Sequence, residues 1–248
     1  MWNRLGERGG PGLLAVGASM LALGLSACGS GGDEPADLVA GKQVFVAKCG
    51  ACHELARAGT KGTTGPNLDA AFQQALADGM SRGTVRGVVY GQIGHPATVA
   101  KDSPAYMPAK LVEGRAATNV AAYVAEVAAK GGKDTGVLAT AVKAAGAGKP
   151  AVAKDGVLSI PADPTGQLAY VTKEASAPPG PLEIQSKNDA SIEHDIALEG
   201  NGVSEKGETV KDGGVSKLEV DVDAGEYTYF CTLPGHRAGG MEGTLTVK

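Results

Sequence analysis

Cys49-Gly50-Ala51-Cys52-His53 places two thiols and an imidazole at positions i, i+3 and i+4. On a helical turn these three side chains share one face. Two thiols can then add to the vinyl groups of a haem while the imidazole reaches its iron, which is the arrangement of covalent c-type attachment. Redox dithiols and half of a zinc site use the same Cys-x-x-Cys spacing. A zinc site calls for more thiolates, and residues 37–132 hold no other Cys. A thioredoxin-like dithiol calls for a βαβ pattern, which is absent from this stretch.

Outward from the motif the pattern is helical. Val120, Tyr123, Val124 and Val127 recur at i, i+3, i+4 and i+7. Farther on, Leu218, Val220 and Val222 alternate with Lys217, Glu219 and Asp221, the period of a half-buried strand. The charge balance changes with the periodicity. Residues 37–132 carry ten Lys/Arg against seven Asp/Glu, and residues 153–248 carry eight against sixteen. Between them, 133–152 is Ala- and Gly-rich with three Lys and no apolar face, which reads as a flexible linker. The chain is therefore expected to be multidomain, all-α and then all-β. Its 248 residues suffice for two such domains.

The N-terminal stretch reads as an export signal over 1–27, with Arg4 and Arg8 ahead of an apolar run from Leu13 to Leu25. That run is shorter than the roughly 20 residues a spanning helix needs. It ends in Leu25-Ser26-Ala27-Cys28, which resembles a bacterial lipobox and implies lipidation of Cys28. Residues 28–36 are then a tether. The expected location is outside the cytosol, in the periplasm or lipid-anchored on the outer face of the bacterial cytoplasmic membrane.

The surroundings of Cys49–His53 resemble the class I cytochrome c family over roughly 37–132. Gly41-Lys42-Gln43-Val44-Phe45 stands at that family's usual offset, where a small residue lets the first helix cross the last against Tyr123. Gly65-Pro66-Asn67-Leu68 resembles the family's loop whose Pro carbonyl, here Pro66, accepts a hydrogen bond from the proximal His53. Tyr106-Met107-Pro108-Ala109 resembles its Met-ligand loop, which makes Met107 the distal ligand; Met80 and His95 are the other candidates. Helices are expected within the 38-residue gap from Leu68 to Met107, between Phe72 and Gly91. A haem also accounts for the scarcity of aromatic residues, one Trp, six Tyr and three Phe.

The remaining thiol, Cys231, opens the run Cys231-x4-His236-x4-Met241. A thiolate, an imidazole and a thioether so close together are soft ligands suited to copper. His194 is the free upstream imidazole in the same region, on a strand-like face with Ile192, Ile196 and Leu198. Residues 153–248 resemble the cupredoxins, with loop spacing nearest to auracyanin and azurin-like members. That resemblance implies an eight-stranded Greek-key sandwich, with His194, Cys231 and His236 in a plane about type 1 copper and Met241 as a weak axial ligand. Family members often carry Asn after the first His, hydrogen-bonded near a Ser or Thr after the Cys. Asp195 and Thr232 stand at those places, so the Asp puts that bond in question.

Four Cys and four His in the whole chain limit what else is possible. A dinuclear copper centre needs two bridging thiolates, and a catalytic copper site needs His beyond those already committed. Neither expected centre keeps a position for a small-molecule substrate. The expected role is single-electron transfer through one covalent haem c and one copper, in a respiratory or photosynthetic chain and not as an enzyme. The alternative is the electron-entry subunit of a membrane oxidoreductase such as a terminal oxidase. Other redox proteins are the expected partners, without nucleic acid. The linker and the opposite charges predict transfer between loosely tethered domains, slowing as salt rises.

Overall fold

Helix α1 (Leu38–Lys48) begins where the carboxylate of Asp37 accepts the backbone N–H groups of Val39 and Ala40. The computed structural model describes residues 35–103 and 105–248. The expected signal segment, and Cys28 with most of its tether, lie outside the described residues. After α1 come the short strands β1 (Glu54–Leu55) and β2 (Thr60–Lys61), then helices α2 (Leu68–Ala77), α3 (Arg82–Gly94) and α4 (Gly114–Val127). Asn67 caps α2 and Ser81 caps α3 through their side chains. α1 crosses α4 at Gly41, where a Cβ would lie 2.3 Å from the Asn119 carbonyl oxygen. Only glycine permits that approach. The expected stripe of Val120, Tyr123, Val124 and Val127 is buried on α4, and Phe45 meets Tyr123 at a ring distance of 6.3 Å. Met80 lies in the short connection between α2 and α3.

The β region has nine strands in two sheets, one more than the eight expected. The larger sheet runs in the order β3 (Ala151–Val152), β5 (Glu174–Ala177), β11 (Glu242–Val247), β10 (Gly225–Phe230), β7 (Ala197–Gly200), β8 (Val203–Lys206). The smaller is β4 (Val157–Ser159), β6 (Gly180–Asn188), β9 (Gly214–Val222). Strand β9 buries Ser216, Leu218 and Val222 while Lys217, Glu219 and Asp221 face out, so the sequence alternation maps onto one sheet face. Between the sheets lie Leu158, Ile160, Ile184, Ile196, Leu198, Tyr229 and Leu245, all essentially inaccessible.

Residues 133–152 are not a free linker. The ammonium of Lys42 donates to the Leu138 carbonyl at 2.8 Å and the amide of Gln43 to that of Ala141 at 3.0 Å. Leu138 and Val142 pack against the helical core. At the other end Gln167 donates to the Lys143 carbonyl, the Gly148 N–H donates to the Val171 carbonyl, and Ala151–Val152 is already a strand of the sandwich. Asp134, buried beside α1, accepts from the Tyr123 hydroxyl at 2.8 Å and pairs with Lys42 at 3.0 Å. The composition suggested a tether because these bonds end on backbone carbonyls, which no side-chain pattern advertises. The segment is a strap bonded at both ends.

Candidate metal centres

The Cys49–His53 segment leaves α1 as one further helical turn. The Cys52 and His53 N–H groups both donate to the Cys49 carbonyl, at 3.1 and 2.9 Å. That turn brings Cys49, Cys52 and His53 to the wall of one cleft of about 540 Å³. Phe45, Leu68, Phe72, Val89, Ile93, Met107, Val120 and Val124 complete a mainly apolar lining. His53 Nδ1 lies 2.9 Å from the Pro66 carbonyl oxygen, which can only accept; Nδ1 therefore donates, and Nε2 keeps a lone pair for a metal. Gly65 permits this contact, because a Cβ there would lie 2.7 Å from the imidazole ring. Met107 lines the same cleft, whereas His95 is exposed at the end of α3. Burial, reinforced by neighbouring Cys52, pushes the Cys49 thiol up to about 12. A large apolar cleft with two thiols, one imidazole lone pair and a thioether fits a covalently held haem.

In the sandwich, the segment before β7 delivers His194, while Cys231 directly follows β10 and the loop after it carries His236. The ligand-capable atoms of these three residues lie within 4.8 Å of one another. His194 Nδ1 is 3.2 Å from His236 Nδ1, and Cys231 Sγ is 3.4 Å from the same His236 nitrogen. Without a cation, two facing imidazole nitrogens can share only one proton. A cation among them satisfies both lone pairs and the sulfur together, and the thiolate–imidazole set suits copper. Burial, with His236 nearby, lowers His194 to about 4, so the ring is neutral at pH 7 and ready to ligate. Burial also pushes Cys231 up to about 12, so its thiol must give up a proton to bind metal. Met241 is fully buried at the end of the loop; its N–H donates to the His236 carbonyl and its carbonyl accepts from the Cys231 N–H.

Asp195 takes the bond that the sequence had put in question. Its side chain, on a residue 1% exposed, accepts the Thr232 N–H at 2.7 Å through one oxygen and the Thr232 hydroxyl through the other. A carboxylate does with two acceptors what an amide does with an acceptor and a donor. Sequence reasoning missed the rest of the clamp. The Tyr170 hydroxyl donates to the Asp195 carbonyl at 2.7 Å, and the Asn188 amide donates to the carbonyls of Ile192 and Val210, both at 2.7 Å. Val210 in turn exchanges backbone bonds with His194. Isolated Tyr and Asn residues carry no spacing signal, so only their burial reveals them.

Comparisons with known proteins agree with this division. Residues 38–128 match the cytochrome c family model, and residues 160–248 match the model described as copper binding proteins of the plastocyanin/azurin family. Among solved structures the chain is similar to auracyanin B, with 22% identity over 42% of this chain and 96% of that one, at TM-score 0.34. It is also similar to auracyanin A of Chloroflexus aurantiacus, with 18% identity over 40% and 100% of the two chains and TM-score 0.33. Reduced auracyanin of Roseiflexus castenholzii shares 21% identity over 42% and 99%, with TM-score 0.31. No curated protein matches the chain.

Proposed function

From a cytochrome c region followed by a plastocyanin/azurin-type copper region, which together make an electron-transfer protein, we propose an exported, lipid-anchored carrier that exchanges single electrons with other redox proteins. Haem c and type 1 copper each supply reversible one-electron exchange when bound. Cys49 and Cys52 would hold the haem covalently, and His53 and Met107, which line the same cleft, would ligate its iron. The Pro66 carbonyl fixes the His53 tautomer and ring direction. His194, Cys231 and His236 would hold the copper, with the Met241 thioether as a weaker fourth donor. Asp195, Thr232, Tyr170 and Asn188 hold the copper ligands in one arrangement, which suits a centre whose geometry must change little between oxidation states.

The observation that carries this reading is the convergence of the His194 and His236 imidazole nitrogens with the Cys231 thiol, His194 and Cys231 both being buried. It joins a separate cleft that collects both thiols of the Cys-x-x-Cys-His motif. Among the described residues no helix is long and apolar enough to cross a membrane, and the proposed anchor is a lipid on Cys28, which follows the apolar run of the export signal. The test is expression of the full chain in a host that matures c-type cytochromes. One covalent haem and one copper per chain, with the protein in the membrane fraction, is the expected result. Cys28→Ala is expected to release it from the membrane with both spectra unchanged. A chain that takes up neither metal contradicts the proposal.

A further inference from the structure

The haem-attachment turn faces two ways. Cys49 and Cys52 line the helical cleft, but Ala51 between them is 7% exposed and belongs to the sandwich's apolar cluster, with Leu168 and Met241. Three further contacts extend this seam. A Cβ on Gly166 would lie 2.6 Å from the Ala47 carbonyl oxygen at the end of α1; Gly166 also has φ +82, a conformation only glycine adopts readily. A Cβ on Gly235, the residue before His236, would lie 3.1 Å from Thr63 Oγ1 and 3.6 Å from Thr64 Cγ2. The ammonium of Lys48 donates to the Ser191 hydroxyl at 2.7 Å. Lys48 and Thr64 themselves line the haem cleft. One set of residues therefore borders both the cleft and the loop that carries His236.

The composition of the seam decides what holds it. Ala47, Thr63 and Thr64 meet Gly166 and Gly235, Ala51 shares an apolar cluster with Leu168, and charged Lys48 is paired with a neutral hydroxyl. No ion pair between the two regions spans it among the described residues. The strap, bonded to α1 at one end and to the sandwich at the other, joins the two regions, while the seam contacts themselves hold the two faces together.

Resting on the electron-carrier reading above, we infer that this seam is a built-in docking surface, with the haem region as the permanent partner of the copper region's His236 loop. One electron crosses it within a single chain. One centre loses it, the other gains it, and no bond, proton or leaving group moves. The transfer needs neither diffusional encounter nor charge steering. It therefore differs from the loosely tethered, salt-sensitive exchange that the charge counts suggest.

Flash reduction of the haem in the full, metal-loaded chain, followed at the copper absorption, tests this. The expected rate is first order, independent of protein concentration and nearly unchanged between low and high salt. A flexible ten-residue Gly/Ser insertion after Ala145 lengthens the strap without touching the seam and is expected to leave the rate unchanged. Ala47→Trp wedges the seam at Gly166 and is expected to slow transfer by roughly tenfold or more, the factor that about 1.4 kcal/mol of lost docking brings. Ser191→Trp wedges it from the other side if the first variant does not fold. Hydrogen exchange at 233–240 is an independent readout, expected to be slow in the parent and the insertion and faster in the wedges. A rate proportional to protein concentration overturns the inference, as does one that falls with the insertion but ignores both wedges. Missing haem or copper bands in the parent chain would instead overturn the electron-carrier reading.

Discussion

The helical and β regions are built to hold their metals in opposite ways. In the helical region the site is where the core should be. Helix α2 has no buried residue, α3 buries only Val85 and Ile93, and the apolar side chains they offer line a cleft of about 540 Å³. The group that fills that cleft is part of the fold. In the sandwich the core is complete without metal: Ile160, Ile184, Ile196, Leu198, Tyr229 and Leu245 are all inaccessible, and the copper ligands sit at one end of it. Hydrogen bonds donated by Tyr170 and Asn188 and accepted by Asp195 fix the backbone around the site. One region is finished by its cofactor, and the other presents a finished socket.

The sharpest way to break that contrast is to empty each site in turn. Cys49→Ser with Cys52→Ser removes covalent attachment, and haem staining on a denaturing gel is expected to vanish. The helical region is then expected to lose several kcal/mol, on the order of what full burial of two or three large apolar side chains supplies, because the apolar lining of the cleft is left facing water. Far-ultraviolet circular dichroism should show α2 and α3 melting while the β signal stays. Retention of the full helical signal would contradict the contrast.

The next effect is one of pH on the copper-free sandwich. His194 is lowered to about 4 by burial, so between its ordinary value of 6.5 and about 4 the unfolded chain binds a proton that the folded chain refuses. Stability is expected to fall as pH drops through that window, by up to about 3 kcal/mol, and to level off below it. Denaturant melts at a series of pH values measure this, with His194→Gln expected to weaken the dependence and His236, also lowered by burial, to supply what remains. Copper uptake at pH 7 should release a proton, because Cys231 is held as a thiol.

A smaller loss is expected from Cys231→Ser. The blue absorption should disappear, since the thiolate is its source, while the metal-free sandwich loses only about 1–3 kcal/mol for burying a hydroxyl. A large collapse of the β signal would show that the socket is not preformed. Smallest of all is Asp195→Asn, which keeps an acceptor for the Thr232 N–H but removes a buried negative charge beside Cys231 and His194. The copper potential should rise by tens of millivolts, on the scale of about 59 mV per tenfold change in a one-electron equilibrium. An unchanged potential would mean that the carboxylate charge is not felt at the site.

The residues that made the two regions legible in sequence are those whose chemistry demands fixed spacing. Cys49, Cys52 and His53 must share a turn, Cys231 and His236 must flank one loop, and Leu218 and Val222 must face one side of a strand. What stayed hidden depends on the backbone or on tertiary position. The strap is bonded through the carbonyls of Leu138, Ala141 and Lys143, which any residue would supply, so its Ala/Gly composition reads as a loose linker. Strand β3 has two residues and follows Pro150, too short to show a period. Asp195 looked like a departure because the pattern speaks of Asn, yet Thr232 can present both of its donors to one carboxylate. Ala51 and Gly235 are small because another surface lies against them, and an alanine or glycine in a sequence does not say which surface.

Whether one chain carries two one-electron centres is decided by an anaerobic redox titration of the full protein that follows the haem and blue-copper bands together. Two one-electron transitions of equal stoichiometry are expected, one at the haem bands and one at the copper band, with the copper transition abolished in Cys231→Ser and the haem transition retained. A transition at only one set of bands in the parent protein, or a copper signal that survives in Cys231→Ser, would contradict this.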